Sequence, residues 1–261
     1  MKTVCKFVVM TFCLSWLLWG SIIFANQLGY LKTTSSELNE TVLRMALLGI
    51  GACGPAISAI IVLSKDKGTP KKQIFKNIFA VKQPVLMYLI TIGFLALYFI
   101  AGTLTGFMEF NGSPIYLSLL TFPIMIVGGG FEEVGWRFFQ PELERKLPFP
   151  IACSITAVVW STWHLPLFFM EGTNQFTANF GLFTIMVFGL AFALAAIYYV
   201  SKSVWLCIFF HTMTNCLYES FTIKNSDVSK DLATSVITTG LLIIASISVV
   251  SIVNRRQRKS T

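Results

Sequence analysis

The sequence has little charge for its length. Only 12% of its 261 residues are Asp, Glu, Lys or Arg, whereas 55% are hydrophobic and the mean hydropathy is +0.71. Soluble domains typically contain about 25% charged residues, so this composition excludes a soluble cytosolic protein, a disordered chain and a nucleic-acid-binding module. The net charge of +8 instead fits attraction to an anionic membrane surface, which makes membrane lipids the first expected partners.

Paired cysteines and repeated segments are also missing. The six cysteines stand singly in apolar stretches without a Cys-x-x-Cys pair, so they predict neither a disulfide framework nor a zinc knuckle. Histidine is scarce, with two in the whole chain.

Long apolar runs, by contrast, fill most of the chain. A membrane-spanning helix needs about 20 mostly apolar residues. Eight such runs cover residues 7–25, 42–63, 84–107, 115–139, 149–170, 180–200, 203–223 and 232–253. They predict an all-α polytopic membrane protein, a bundle of about eight transmembrane helices that forms a single integral membrane domain over residues 1–261.

The first run is predicted to be a retained anchor rather than a cleaved signal peptide. Its 19 residues exceed the apolar core of about 7 to 15 residues that is usual in signal peptides.

The distribution of basic residues predicts the orientation. With the N-terminus inside, 16 of the 20 Lys and Arg residues lie in inner segments, and only Lys32, Lys224 and Lys230 lie in outer loops. The positive-inside rule therefore places both termini in the cytoplasm. The compact chain with short loops is typical of a bacterial plasma-membrane protein. The lysine-rich segment 65–82 is expected to be a solvated cytoplasmic loop, with a surface-lying amphipathic helix as the alternative.

Few ionisable side chains fall inside the apolar runs. Arg44 and Glu219 lie near the ends of their runs, where they can reach the interface. A charged residue at the centre of a spanning helix costs about 2.5 to 3.5 kcal/mol on insertion scales. The remaining five, which include both histidines, are therefore expected to converge on one polar cavity. They are Glu132, Glu133, Arg137, His164 and His211.

The spacing of these residues suggests separate roles. Glu133 and Arg137 are four residues apart and predict an ion pair on one helical face. Glu132 is rotated by about 100° and has no basic partner three or four residues later, so it is the carboxylate left for chemistry. His211 and Asn215 are also four apart and offer two hydrogen-bond donors that could stabilise an oxyanion.

His164 comes from a different run and is expected to face these residues across the cavity. Glu132, His164 and His211 could bind a divalent metal such as zinc, or the site could activate a water molecule directly. Both options predict hydrolysis, and an oxyanion-stabilising pair fits a peptide bond in a membrane-presented substrate. The alternatives are a proton-coupled transporter, because intramembrane Glu and His are also relay residues, and a non-catalytic immunity or scaffold protein.

One depth estimate conflicts with a single site. If every run is a straight helix with a rise of about 1.5 Å per residue, His164 lies about 10 Å too far from the inner face. We therefore expect the helix of residues 149–170 to begin inside the cytoplasm or to tilt strongly. A single site requires His164 to lie within about 10 Å of Glu132.

Three motifs in successive apolar runs together resemble a known family. They are Glu132-Glu133-x-x-x-Arg137, Trp160-x-x-x-His164 and His211-x-x-x-Asn215. In this order they resemble the CPBP family of intramembrane proteases, which includes the type II CAAX prenyl proteases and the bacterial Abi proteins. The resemblance covers about residues 110–220 as a catalytic core, and it departs at Trp160, where the family pattern usually has Phe.

The resemblance implies an eight-helix membrane enzyme in which Glu132 and His164 activate the water. It also implies that His211 and Asn215 stabilise the oxyanion. Members are widely called metalloproteases, yet a metal-free glutamate mechanism has been argued for relatives, so a metal cofactor stays open. Prenylated CAAX tails, lipidated proteins and peptide precursors are the implied substrates.

Overall fold

The computed structural model describes residues 2–223 and 228–260, and most of these residues are helical. The helices of the N-terminal half are α1 (Lys2–Gln27), α2 (Leu38–Ala52), α3 (Gly54–Lys65), α4 (Lys71–Ile78), α5 (Val85–Thr105), α6 (Ile115–Leu120) and α7 (Phe122–Met125). Those that follow are α8 (Glu132–Glu144), α9 (Phe149–Trp163), α10 (Phe180–Ser201), α11 (Val204–Leu217) and α12 (Val228–Ser260). The all-α membrane fold predicted from the sequence is confirmed.

The number of spanning helices differs from the predicted eight. Among the described residues, five helical segments are long and apolar enough to cross a membrane: those of α1, α5, α9 with its 3₁₀ extension Leu165–Phe169, α10 and α12. Helices α2 and α3 meet at Cys53 with a bend of 49° and count as a sixth span if they are taken together. The count of eight is therefore not confirmed, because two of the predicted runs fold differently.

The predicted run 115–139 is broken rather than straight. It contains α6 and α7, then a π-helical turn over Ile126–Gly130, and then α8. Pro123 stands in the first turn of α7, where its missing N–H is tolerated, and three consecutive glycines allow the wide turn that follows. The depth of Glu132 along this run therefore cannot be counted at a constant rise. The mismatch in depth between Glu132 and His164 rested on the wrong assumption that residues 115–139 form a straight helix.

The predicted run 203–223 ends early as a helix. Helix α11 stops at Leu217, and Phe221–Ile223 form strand β2, which pairs antiparallel with β1 (Met108–Phe110). Aromatic and β-branched residues such as Phe221, Thr222 and Ile223 favour extended backbone, and the pairing satisfies backbone groups that the helix no longer bonds. This two-stranded sheet contains all strand residues in the described part of the chain.

Two ion pairs gather the segments that the sequence places on the inner side. Lys6 near the start of α1 bonds Asp66 after α3 at 2.8 Å, and Lys67 bonds Glu142 near the end of α8 at 3.0 Å. The start of α1, the end of α3 and the end of α8 therefore lie at one end of the bundle. Lys224, assigned to an outer loop, lies outside the described residues.

The lysine-rich segment contains a helix where a loop was expected. Helix α4 buries Ile74 and Ile78 and exposes Phe75 together with its lysines. The expectation of a plain solvated loop is therefore wrong for these eight residues, because two isoleucines four residues apart give one helical face an apolar anchor.

The contact between α3 and α8 fixes the helix that carries the glutamates. Gly135 lies against Pro55 so closely that an added Cβ would stand 2.6 Å from the Pro55 carbonyl oxygen and carbon. Backbone atoms cannot move aside as a flexible side chain would, so only glycine allows this close approach.

Replacing Gly135 with Ala should therefore destabilise the protein. We expect Gly135→Ala to cost about 1 to 3 kcal/mol of unfolding free energy through overpacking, measured as a lowered thermal midpoint in detergent. The matched control is Gly93→Ala in α5, where an added Cβ would meet nothing within 4 Å. Equal thermal midpoints for Gly135→Ala and Gly93→Ala would contradict this packing.

Candidate active site

The structure brings all six predicted site residues into one buried region. Glu132, Glu133 and Arg137 lie on α8, His164 directly follows α9, and His211 and Asn215 lie on α11. The five ionisable residues among them are each less than a tenth exposed: Glu132, Glu133, Arg137, His164 and His211. The convergence expected from the cost of intramembrane charge is therefore what the fold achieves.

Glu132 is held by neutral donors rather than by a cation. The indole N–H of Trp160 donates to Glu132 Oε2 at 2.8 Å, and the indole of Trp136 lies 3.4 Å from the same oxygen. Glu132 also stands in the first turn of α8, where the positive end of the helix dipole favours a carboxylate. These contacts let the carboxylate stay buried without an ion-pair partner.

His164 faces the other oxygen of Glu132. Its Nδ1 lies 2.9 Å from the Trp160 carbonyl oxygen. A carbonyl can only accept, so Nδ1 carries the proton and Nε2 presents a lone pair when the ring is neutral. His164 Nε2 is 3.9 Å from Glu132 Oε1, which is too long for a direct hydrogen bond but far within the limit of about 10 Å that a single site requires.

The Glu133 carboxylate contacts two side chains, those of Arg137 and His211. Its Oε2 lies 3.0 Å from Arg137 Nε, as the four-residue spacing predicts, and its Oε1 lies 3.0 Å from His211 Nδ1. The Glu133 and Arg137 side chains are fully buried. Glu133 therefore holds the position of α8 relative to α11 through one carboxylate, and it fixes the His211 ring so that Nε2 points away.

His211 Nε2 and the Asn215 amide meet at the π-helical turn. An added Cβ on Gly129 would stand 3.3 Å from His211 Nε2 and would overlap Asn215 Nδ2. Glycine is therefore required where these two groups approach the backbone that leads to Glu132. Among the described residues, the Asn215 amide makes no hydrogen bond to another protein group, which leaves it free for a ligand.

The three predicted metal candidates do not form a ready metal site. In residues 2–223 and 228–260, no three His, Cys, Asp or Glu side chains are close enough together to hold a metal ion. Glu132 Oε2 is already engaged by Trp160, and His211 extends toward Glu133 rather than toward Glu132. The donor set does not fit a tightly bound zinc ion, which needs three or four convergent ligands.

Two contacts in this site were not predicted from the sequence. The first is the pair of indole donors on Glu132, although Trp136 stands four residues after Glu132 and Trp160 four residues before His164. Both spacings place the rings on the correct helical faces and could have indicated them. The second is the His211–Glu133 contact, which joins residues 78 positions apart and had no local signal.

Known proteins match the chain over this region and beyond. The family model described as type II CAAX prenyl endopeptidase Rce1-like matches residues 113–217. A protein of Methanococcus maripaludis named CAAX prenyl protease 2 is 24% identical over 267 aligned positions, which cover 92% of this chain and 90% of that protein. The matched family region contains all three motifs.

The buried ion pair gives a prediction for stability. Arg137→Met should cost about 3 to 5 kcal/mol because it leaves the Glu133 carboxylate buried without its cation. The double variant Glu133→Gln with Arg137→Met should be more stable than Arg137→Met alone, since the uncompensated charge is then absent. Thermal unfolding in detergent measures both. Additive losses in the double variant would contradict the pairing.

Proposed function

We propose that this chain, a member of the CPBP family of intramembrane proteases, is an endopeptidase for a membrane-associated substrate. It hydrolyses a peptide bond with water that Glu132 and His164 activate. It is an integral membrane peptidase by its family match and by its apolar helices. The observation that carries the proposal is the facing pair of acceptors, Glu132 Oε1 and His164 Nε2, at 3.9 Å.

This spacing suits a water molecule held between the two side chains. Two acceptors 3.9 Å apart can each receive one hydrogen of a single water at ordinary hydrogen-bond length. The lone pairs of the water oxygen are then free to attack a carbonyl carbon. Glu132 takes the proton that the water loses, which makes it the general base, and His164 orients the water.

The groups near Gly129 suit the oxyanion that this attack creates. His211 Nδ1 donates to Glu133, so its Nε2 donates to an oxyanion only when the ring carries both protons. With His211 protonated, the charges of Glu132, Glu133, Arg137 and His211 balance. The Asn215 amide supplies a second donor, and two preorganised donors in a dry site favour the charge that develops in the transition state.

The atoms and protons of this reaction balance without another reagent. The water oxygen bonds to the carbonyl carbon, and the C–N bond breaks when the tetrahedral intermediate collapses. The proton held by Glu132 passes to the leaving amine, which regenerates the carboxylate and releases one peptide acid and one peptide amine. Each step uses side chains that the fold places together, and none is routed through a metal.

For the substrate we propose a peptide that is anchored in the bilayer by a lipid. The relative's name refers to a CAAX prenyl protease, and a prenyl group would keep a C-terminal peptide at the membrane surface. A peptide precursor without a prenyl group is the alternative. We place the enzyme in the bacterial plasma membrane with both termini in the cytoplasm, on the basis of its basic residues. The family match favours this peptidase over the transporter and the scaffold protein.

Removing the proposed base should abolish cleavage. We expect Glu132→Ala and Glu132→Gln to lower kcat by about 100-fold or more, the usual contribution of a general base. The measurement is cleavage of a farnesylated CAAX peptide and of its unprenylated form by purified protein in lipid nanodiscs. Glu109→Gln, outside the site in β1, is the matched control and should cleave normally. Full activity of Glu132→Ala would contradict the proposed mechanism.

Activity should also survive metal chelation. Because the donor set does not fit a bound metal ion, we expect EDTA and 1,10-phenanthroline to leave the rate of the same assay within about twofold of the untreated enzyme. A zinc peptidase treated in parallel controls for effective chelation. Loss of activity that added zinc restores would overturn the metal-free reaction.

A further inference from the structure

We propose that Trp160 is a positioning residue for the proposed reaction, because its indole N–H holds one oxygen of the Glu132 carboxylate and so directs the other oxygen at the attacking water. The inference rests on the proposed function of Glu132. It concerns a residue at which this chain departs from the family pattern, where Phe is usual.

Trp160 contacts three groups of the site in three different ways. Its indole N–H donates to Glu132 Oε2 at 2.8 Å. Its backbone carbonyl accepts from His164 Nδ1 at 2.9 Å. Its ring packs edge-on against the His211 ring, with centroids 5.4 Å apart and an angle of 73° between the planes. One residue therefore sets the orientation of both groups that would hold the water.

The hydrogen bond decides the orientation of the Glu132 carboxylate. A carboxylate has two equivalent oxygens, and the torsion that exchanges them is soft. With Oε2 bound to the indole, Oε1 is the oxygen directed at His164 Nε2. Trp160 is 2% exposed and Glu132 is 4% exposed, so bulk water has little access to replace this donor.

A phenylalanine at position 160 would remove this constraint. Its ring has no donor, and the remaining indole of Trp136 lies at 3.4 Å, beyond the length of a strong hydrogen bond to a carboxylate. The carboxylate would then sample orientations in which neither oxygen faces His164. Such a loss of orientation lowers the rate of the chemical step more than substrate binding.

The test compares two replacements that remove the N–H. Trp160→Phe removes the donor and part of the ring. Substitution of Trp160 by benzothienylalanine keeps the bicyclic ring and replaces the N–H with sulfur, so it avoids any cavity. We expect both to lower kcat roughly 10- to 100-fold, the worth of a hydrogen bond to a charged group, with KM within about twofold of wild type.

Trp205→Phe is the matched control. The Trp205 indole donates to the Tyr88 hydroxyl, also at 2.8 Å, and this bond joins α11 to α5 away from the catalytic carboxylate. The variant makes the same chemical change, so it should lower thermal stability slightly and leave kcat unchanged. A general effect of losing an indole hydrogen bond would instead lower kcat in this control as well.

Glu132→Ala in the same assay separates the two proposals. If Glu132→Ala is inactive and the benzothienylalanine variant has wild-type kcat, Trp160 does not position the base and only this inference fails. If Glu132→Ala is active, the proposed function fails first. A rise in KM with unchanged kcat in the Trp160 variants would assign Trp160 to substrate binding and would also overturn its positioning role.

Discussion

Two adjacent carboxylates, Glu132 and Glu133, are buried inside a bundle of apolar helices, and the arrangement of the site follows from the need to compensate both. An uncompensated charge in such surroundings costs several kcal/mol. Successive residues of a helix point about 100° apart, so one partner cannot serve both glutamates. The fold therefore supplies two different sets of partners, from α8 and α11 for Glu133 and from α8 and α9 for Glu132.

The need to compensate these two carboxylates also accounts for the shape of the backbone that precedes them. A straight helix through residues 115–139 would pack against α11 at the usual distance between helix axes, about 8 to 10 Å. The glycines of the π-helical turn over Ile126–Gly130 leave no side chains in this contact. His211 and Asn215 consequently reach the backbone at Gly129, and His211 reaches Glu133 on the following turn.

Much of this could be predicted from the sequence, and the remainder has identifiable causes. The cost of intramembrane charge is enough to select Glu132, Glu133, Arg137, His164 and His211, because it depends only on where an ionisable residue lies within an apolar run. The helical breaks at Pro123 and Gly128–Gly130 were missed because apolar runs report hydropathy and not backbone geometry. The His211–Glu133 contact depends on how α8 and α11 pack, which no local pattern encodes.

The two kinds of compensation have different chemical consequences. Glu133 is matched by the full charge of Arg137 and by His211, so its charge is committed to holding two helices together. Glu132 is stabilised by indole donors that bind only one of its oxygens. Because those donors are neutral, they do not cancel the charge of the carboxylate, and the second oxygen remains available to accept a proton. The same pair of neighbouring residues thus provides one structural anchor and one group free to react, and the difference between them arises from which helix each one faces.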